Sequence, residues 1–389
     1  MEKHRKKRSV RGYVLIWNLI RLPATLLAKS KFGFKAEPAP KIKGPYLVVS
    51  NHNSGWDPVL VSCSFRRHMY YVAGEHVFRW GLLSWLIRIL VAPISRVKGS
   101  TDGAAAYNTI RTLKTGSNVC LFAEGNMSFT GRTCEIHPTV GRLVKMSGAT
   151  LVTYRLRGIY LSRPRWSNKR RRGKSSGECV GIYSPETLSH MSAEQIYDAI
   201  VSDLYEDAFE TQRKQMIPFR GEKLAENLET ALYICPGCGG RATLKSEDNR
   251  FFCSCGFETI YDEYGFFTGA PFSTVAEWND WQEKELREIC ESSGELPIFS
   301  DGCQTLNMLH HDHSVETVAE GTLSIWRDLL KLGDFAAKIS DISALDIHGR
   351  DNVVFSYGGK NYEICSSFLR SGRKYVDAYR ILKGAHATT

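Results

Sequence analysis

The 389-residue chain has no stretch reaching the roughly 18 uninterrupted apolar residues that a spanning helix requires, which excludes a polytopic membrane protein. It has no internal repeat at the period of roughly 20 to 50 residues that marks a solenoid. Gly (33) and Pro (13) are not in excess, which excludes collagen, and 43% apolar residues with 18 Phe, 17 Tyr and 8 Trp exclude global disorder. The cysteines number 11, an odd count; four form one tight cluster and the rest are scattered. That pattern excludes a disulfide miniprotein and fits a reducing, cytosolic setting. At about 150 residues per domain, the length implies two or three domains.

Acid is scarce in the front half. Residues 1–43 carry 12 Lys+Arg and 2 Asp+Glu, residues 44–180 carry 20 and 6, and residues 181–389 carry 19 and 33. The asymmetry implies a polyanionic partner for the first half: phospholipid, nucleotide or nucleic acid. The N-terminus has the basic start of a signal peptide. However, Asn18, Arg21 and Pro23 interrupt its apolar stretch over 13–27, and no clear small-residue cleavage site follows, so the expectation is that it is retained. With Trp17 available for the headgroup layer, residues 1–43 are expected to form a basic, amphipathic, membrane-associating segment. The stretch 80–92, with Trp80, Trp85 and an internal Arg88, fits a second interfacial helix and a buried core helix equally well.

From Tyr46 the pattern alternates strands with helices. Strands are expected over 46–50, 119–123 and 150–156, and helices over 58–65, 101–114 and 141–146. This predicts an α/β domain over 44–220 with a mostly parallel sheet and function at the strand ends. It includes a basic loop over 163–174 and a helical segment over 192–215. A Cys/Gly-rich unit follows over 230–270, then a helical linker over 271–295 holding a helix over 274–290, then a small β-rich domain over 296–389. In that last domain Gly358-Gly359 separates 353–357 from 360–364 as a hairpin signal, and a final helix over 372–383 aligns Tyr375, Ala378, Tyr379 and Leu382.

The string Asn51-His52-Asn53-Ser54-Gly55-Trp56-Asp57-Pro58 directly follows a strand. On a regular helix residues five apart point about 140° from each other, since each turns about 100°. His52 and Asp57 therefore meet only if the turn at Gly55 curls the histidine back. One reading makes Asp57 an N-cap ahead of Pro58 and His52 a polar loop residue. The other makes His52 a general base whose ring Asp57 orients, as in a hydrolase triad without the protein nucleophile.

Three further segments accompany it: Ala92-Pro93-Ile94-Ser95-Arg96, Leu121-Phe122-Ala123-Glu124-Gly125-Asn126-Met127-Ser128, and Thr150-Leu151-Val152-Thr153-Tyr154. In this order and spacing the four segments, over about residues 44–160, resemble the glycerolipid acyltransferase family that includes 1-acylglycerol-3-phosphate acyltransferases. The resemblance implies that His52 deprotonates the acceptor hydroxyl, Asp57 holds the ring and Arg96 binds the acceptor's phosphate. It implies that Glu124 and Gly125 line the acceptor site, with Glu124 orienting Arg96 or a glycerol hydroxyl and Gly125 admitting close backbone approach. Three departures stand out. Ala123 replaces the usual Pro, Asn126-Met127 replaces Thr-Arg and removes a cation, and Thr153 stands where Pro is common. Arg132, Arg155 and Arg157 are the candidates to compensate.

Cys235-Pro-Gly-Cys238 and Cys253-Ser-Cys255-Gly256, 14 residues apart, have the paired spacing of a four-thiolate tetrahedral site and look like a zinc ribbon. Zinc is favoured, although the same ligands suit iron. With no position left for water the site is expected to be structural. His310-His311-Asp312-His313 invites a metal reading, but adjacent histidines in a loop without a defined partner read better as solvated. The basic loop over 163–174 fits nucleic acid, phospholipid headgroups or the phosphates of coenzyme A, and equally a solvated surface. The C-terminal strands followed by one helix resemble a pleckstrin-homology or GRAM-type domain in element order.

Together these readings predict an O-acyltransferase, peripheral or monotopic on the cytoplasmic face of a membrane. It would transfer a fatty acyl group from acyl-CoA, or acyl carrier protein, to a lysophospholipid, most simply 1-acylglycerol-3-phosphate to phosphatidate. Its partners would be the phospholipid surface and both lipid substrates, with structural zinc as cofactor. Two alternatives remain: a nucleic-acid-binding zinc-ribbon protein, disfavoured by the acidic surroundings of the ribbon, and a lipid-binding scaffold that has lost activity.

Overall fold

Each short β-branched or apolar run between Tyr46 and Arg157 becomes a strand of one sheet. The computed structural model describes residues 10–74, 93–96, 103–310 and 314–387. The basic start 1–9, the expected helix over 80–92 and residues 311–313 of the histidine-rich loop lie outside the described residues. In chain order the first unit contains α1 (Val10–Phe32), β1 (Phe34–Ala36), β2 (Tyr46–Ser50), α2 (Asp57–Ser64), β3 (Met69–Gly74), β4 (Ile94–Arg96), α3 (Gly103–Lys114) and β5 (Asn118–Phe122). It continues with α4 (Thr139–Ser147), β6 (Thr150–Arg157), α5 (Ile159–Ser162), β7 (Ser175–Tyr183), α6 (Pro185–His190), α7 (Ala193–Leu204) and α8 (Ala208–Gln215).

The sheet order is β1-β7-β6-β2-β5-β3-β4. Strands β6, β2, β5, β3 and β4 run parallel, while β7 pairs antiparallel with β6 and carries β1 with it. Five of the six pairings are parallel, as the sequence predicts for a mostly parallel sheet, and the antiparallel one makes the sheet mixed. The exception arises at β7, whose polar, Gly-containing sequence Ser175–Tyr183 carries little strand signal. The expected helical segment over 192–215 is likewise two helices, α7 and α8, the second capped by Asp207, whose carboxylate accepts from the amides of Phe209 and Glu210.

Central strands are apolar on both faces because helices cover both. Val48 and Cys120 face α1 and α2 through Ala28, Phe32, Leu60 and Val61. Leu47, Val49 and Leu121 face α3, α4 and α7 through Leu113, Val144 and Ile200. Helix α1 turns Tyr13, Trp17 and Phe32 inward. Trp17 is buried and its indole N–H donates to the Phe65 carbonyl at 3.3 Å, so it is a core residue and not a headgroup anchor. The opposite face carries Leu15, Leu19, Leu22 and Leu26, at 59–78% exposure. Among the described residues no helix is long and apolar enough to cross a membrane.

The second unit comprises Arg165–Arg170 and the chain from Gly221 onward. Its first sheet, β11-β10-β9-β8, is built from β8 (Leu244–Glu247), β9 (Arg250–Cys253), β10 (Glu258–Tyr261) and β11 (Phe267–Thr268). Helix α9 (Val275–Ser292) places Trp278 against Phe251, Phe257, Phe267 and Phe272. A seven-stranded antiparallel sheet follows: β12 (Phe299–Leu309), β13 (Val315–Ile325), β14 (Leu329–Leu332), β15 (Phe335–Lys338), β16 (Ala344–His348), β17 (Asn352–Tyr357) and β18 (Lys360–Ser366). Its order is β15-β14-β13-β12-β18-β17-β16, and α10 (Arg373–Ala387) closes the chain. The hairpin turns between Tyr357 and Lys360, where Gly358 and Gly359 both have positive φ, as a primed turn requires.

Strand β2 stops at Ser50, yet its pairing with β6 continues through a side chain. The Asn51 amide nitrogen donates to the Leu156 carbonyl at 2.9 Å, and its oxygen accepts the Leu156 amide at 2.8 Å. Both groups are buried, so truncation leaves a donor and an acceptor of the backbone unpaired. Asn51→Ala is expected to destabilise the first unit by about 2–4 kcal/mol in denaturant unfolding followed by circular dichroism. An unchanged midpoint would show that the side chain is dispensable there.

Candidate functional site

Ser50 pairs with Phe122 in register, so Asn51 and Ala123 leave the carboxyl edge of the sheet side by side. Strand β4 ends at the same edge, with Arg96 paired to Gly74. The position is the strand-end crevice where open α/β sheets place ligands. The Arg96 backbone is thus beside the site, while its side chain lies outside the described residues.

The turn after β2 folds back on itself. Asp57 opens α2 with Pro58 behind it, but its carboxylate does not cap that helix as one reading of the sequence suggests. Instead it reaches back over the loop. Oδ2 accepts the Asn53 amide at 2.6 Å, the Ser54 amide at 2.9 Å and His52 Nδ1 at 2.8 Å, while Oδ1 accepts the Ser54 hydroxyl at 2.8 Å. Asp57 is wholly buried and His52 keeps 20% of its side chain exposed. An ionised carboxylate only accepts, so Nδ1 carries the proton and Nε2 keeps its lone pair. The ring also stacks on Phe122, with centroids 4.4 Å apart and planes 20° from parallel. His52 and Asp57 are therefore brought into contact, with the imidazole in the tautomer a general base needs.

Glu124 braces the loop from the other side. Its Oε1 accepts the His52 amide at 2.6 Å and its Oε2 the Cys134 amide at 2.5 Å. Both oxygens are thus engaged by backbone, which braces the loop from this side. Gly125, at φ +66°, makes the turn that follows, and its amide donates to the Phe122 carbonyl. The Ser128 amide returns to the His52 carbonyl at 3.2 Å.

The three arginines expected to compensate for the missing cation are engaged elsewhere. Arg132 Nε donates to Asp207 at 2.9 Å, Arg155 and Arg157 pair with Glu178 at 3.5 and 3.4 Å, and Arg157 also reaches Glu206 at 3.3 Å. Thr153 donates to Asp203 at 2.7 Å and accepts the Gly181 amide at 2.8 Å, so it ties β6 to β7 and α7. Sequence reasoning did not single out Ser54, Phe122 or the Cys134 amide. The polar string directly after an apolar strand was the available signal for Ser54; the other two depend on register and loop closure.

In the second unit the sulfurs of Cys235, Cys238, Cys253 and Cys255 all lie within 4.8 Å of one another. Cys235 to Cys255 is 3.8 Å and Cys238 to Cys253 is 3.9 Å. Those separations exceed the roughly 2.05 Å of a disulfide. They match the edge, about 3.8 Å, of a tetrahedron with metal–sulfur bonds of about 2.3 Å. Gly239 and Gly256, at φ +67° and +95°, turn the two knuckles. The four thiols form a cluster that could hold a metal ion. His310, by contrast, pairs with Glu316 at 3.0 Å.

Burial pushes the Glu124 carboxyl up to about 8; the Cys134 and His52 amides oppose the shift and the nearby Asp57 charge adds to it. A carboxyl raised on folding contributes its full stability below the ordinary carboxylate range and loses it as pH rises through about 8. Thermal melts across that window are expected to show the wild type losing stability with rising pH more steeply than Glu124→Gln. Equal slopes would mean that Glu124 titrates normally.

No curated protein matches the chain. A solved structure to which it is similar is the 1-acyl-sn-glycerophosphate (LPA) acyltransferase PlsC from Thermotoga maritima, at 16% identity and a TM-score of 0.44, covering 54% of this chain and 84% of that one. That likeness is too slight to assign chemistry. Residues 32–157 match the model of the family described as Acyltransferase, a span that holds His52, Asp57, Arg96, Glu124 and Gly125. The match is confined to this part of the chain, from the end of α1 through β6, about a third of its length.

Proposed function

We propose that the chain is a membrane-associated O-acyltransferase that moves a fatty acyl group from acyl-CoA to the free hydroxyl of a lysophospholipid, with 1-acylglycerol-3-phosphate as the simplest acceptor and phosphatidate as product. The 2.8 Å contact between His52 Nδ1 and buried Asp57 carries the reading. His52 Nε2 accepts the hydroxyl proton as the oxygen attacks the thioester carbonyl. Asp57 stabilises the imidazolium, the carbon–sulfur bond breaks, and the proton passes to the departing thiolate. An acyl carrier protein thioester would serve the same chemistry. No protein nucleophile is needed, because the acceptor supplies its own oxygen and the site's task is to hold two amphiphiles in near-attack geometry.

Arg96 is assigned to the acceptor's phosphate, for which a guanidinium fork is well shaped. Gly125 is assigned to close approach of the acceptor and Glu124 to bracing the base loop. The exposed leucine face of α1, on a segment rich in Lys and Arg, supports docking in the plane of an anionic, cytoplasm-facing membrane surface. The four cysteines are assigned to a closed structural zinc site, favoured over iron by the ribbon-like spacing. The antiparallel sheet ending in α10 supports a pleckstrin-homology or GRAM-like C-terminal domain by element order.

His52→Ala is expected to lower kcat/KM by about 100- to 10,000-fold with labelled acyl-CoA and a panel of lysolipids, leaving the circular dichroism spectrum and metal content unchanged. Retained turnover in that variant would remove the base, and the panel itself identifies the acceptor. Elemental analysis should find about one zinc per chain, lost in Cys238→Ser together with stability of the second unit. Full stability of that variant without metal would sink the structural role.

A further inference from the structure

The basic loop over 163–174 is not absorbed by the acyl-transfer site. We infer that its central part, Arg165–Arg170, together with the turn between β16 and β17, forms a rigid basic surface that docks on anionic phospholipid headgroups. The inference rests on the reading of the chain as one that works at a lipid surface, and adds a second contact on a different unit from α1.

The segment is fixed, unlike a solvated tether. Trp166 is fully buried and meets the Tyr261 ring edge-on at 5.6 Å. Arg165 donates from Nε to the Gly349 carbonyl at 2.8 Å and from Nη2 to the Ile347 carbonyl at 3.1 Å. Arg350 Nη1 donates to Asn168 Oδ1 at 2.5 Å, tying the turn to the segment from the other side. The Ser167 hydroxyl accepts the Lys169 amide at 3.1 Å and donates to the Lys169 carbonyl at 3.2 Å, which sets the bend that presents the next cations.

What this scaffold presents is charge. Lys169 and Arg170 are exposed, and among the described residues neither they nor Arg350 has a carboxylate at ion-pair distance. Glu229 feels the Arg350 charge, but its carboxylate is engaged by the Ser246 hydroxyl at 2.6 Å. Residues 221–389 hold 16 Lys+Arg against 26 Asp+Glu, so acids are abundant in this unit and this cluster still lacks a partner. Arg165 and Arg350 spend their hydrogen bonds on holding the segment in place, which leaves Lys169 and Arg170 for an outside anion.

The chemistry favours phosphate at a surface over nucleic acid. Binding of single strands relies on aromatic rings on which bases stack. The one aromatic residue of the segment, Trp166, is sealed in the core. A bilayer needs only clustered cations, each worth about fivefold in partitioning at an anionic surface.

The test is co-sedimentation of the full chain with phosphatidylcholine vesicles, with and without phosphatidic acid. Lys169→Gln with Arg170→Gln is expected to lower partitioning onto phosphatidic acid vesicles by about 10- to 30-fold at low salt, leaving binding to neutral vesicles unchanged. The α1-face variant Leu19→Glu with Leu22→Glu should instead lower binding to both, which separates the two contacts. Unchanged partitioning of the double Gln variant onto anionic vesicles would overturn the proposal, as would a loss confined to binding of a single-stranded oligonucleotide. Vesicle binding does not depend on turnover. A failure here leaves the His52 chemistry standing, and inactivity with every lysolipid would not move the vesicle result.

Discussion

A carboxylate buried without donors would cost more than the loop around it is worth, and Asp57 is wholly buried. Its two oxygens collect two backbone amides, one hydroxyl and one imidazole N–H, all from the six residues His52 to Asp57. That demand shapes the turn. Gly55 passes beside open space, Ser54 must turn inward, and His52 must curl back over a sequence separation that a helix would have pointed away. The same contact fixes the proton on Nδ1, so the constraint that satisfies the carboxylate also prepares the proposed base.

The loop is then held from three sides. Asn51 ties it to β6, Glu124 and Ser128 tie it to the segment after β5, and Trp56 ties it to α1, where Lys31 sits 4.7 Å above the indole and Phe32 packs at 5.8 Å. Rigid support of this kind lets a base keep its geometry while one edge stays open to substrate. It also links the two ends of the proposed reaction. The helix with the exposed leucine face rests, through its last turn, on the loop that holds His52.

Central strands were legible because they are continuous apolar runs, and 46–50, 119–123 and 150–156 fall within a residue of β2, β5 and β6. Strands of mixed composition were not. β7 mixes Ser, Gly and Glu, β3 is only partly buried along its length, and β12 and β13 alternate polar residues on a half-exposed hairpin. At the site, residue types and spacing pointed to His52 and Asp57, and sulfur spacing pointed to the cysteine cluster. What spacing could not reveal was the direction of a side chain. Asp57 reads either as a cap ahead of Pro58 or as the group that orients His52, and only the folded turn shows which way it faces. Trp17 reads as an interfacial anchor because it lies in a basic apolar segment, and its N–H reaches a carbonyl in the core.

Net charge has the same blind spot, because it counts every arginine alike. Residues 44–180 carry 20 Lys+Arg against 6 Asp+Glu, an excess that invites a phosphate site. The fold sorts them: Arg132 answers Asp207, Arg155 and Arg157 answer Glu178 and Glu206, and Arg165 feeds backbone carbonyls. Two of those acids, Glu206 and Asp207, come from the later, acidic part of the chain, so the excess seen in one stretch is partly cancelled by another. Burial raises the Glu206 carboxyl to about 7, with Arg157 the largest opposing influence, which marks these pairs as enclosed rather than surface decoration. An arginine held by a buried acid has little charge to offer a lipid phosphate. Among the described residues Arg132, Arg155 and Arg157 already have their anions, so the acceptor contact proposed for Arg96 draws no help from them.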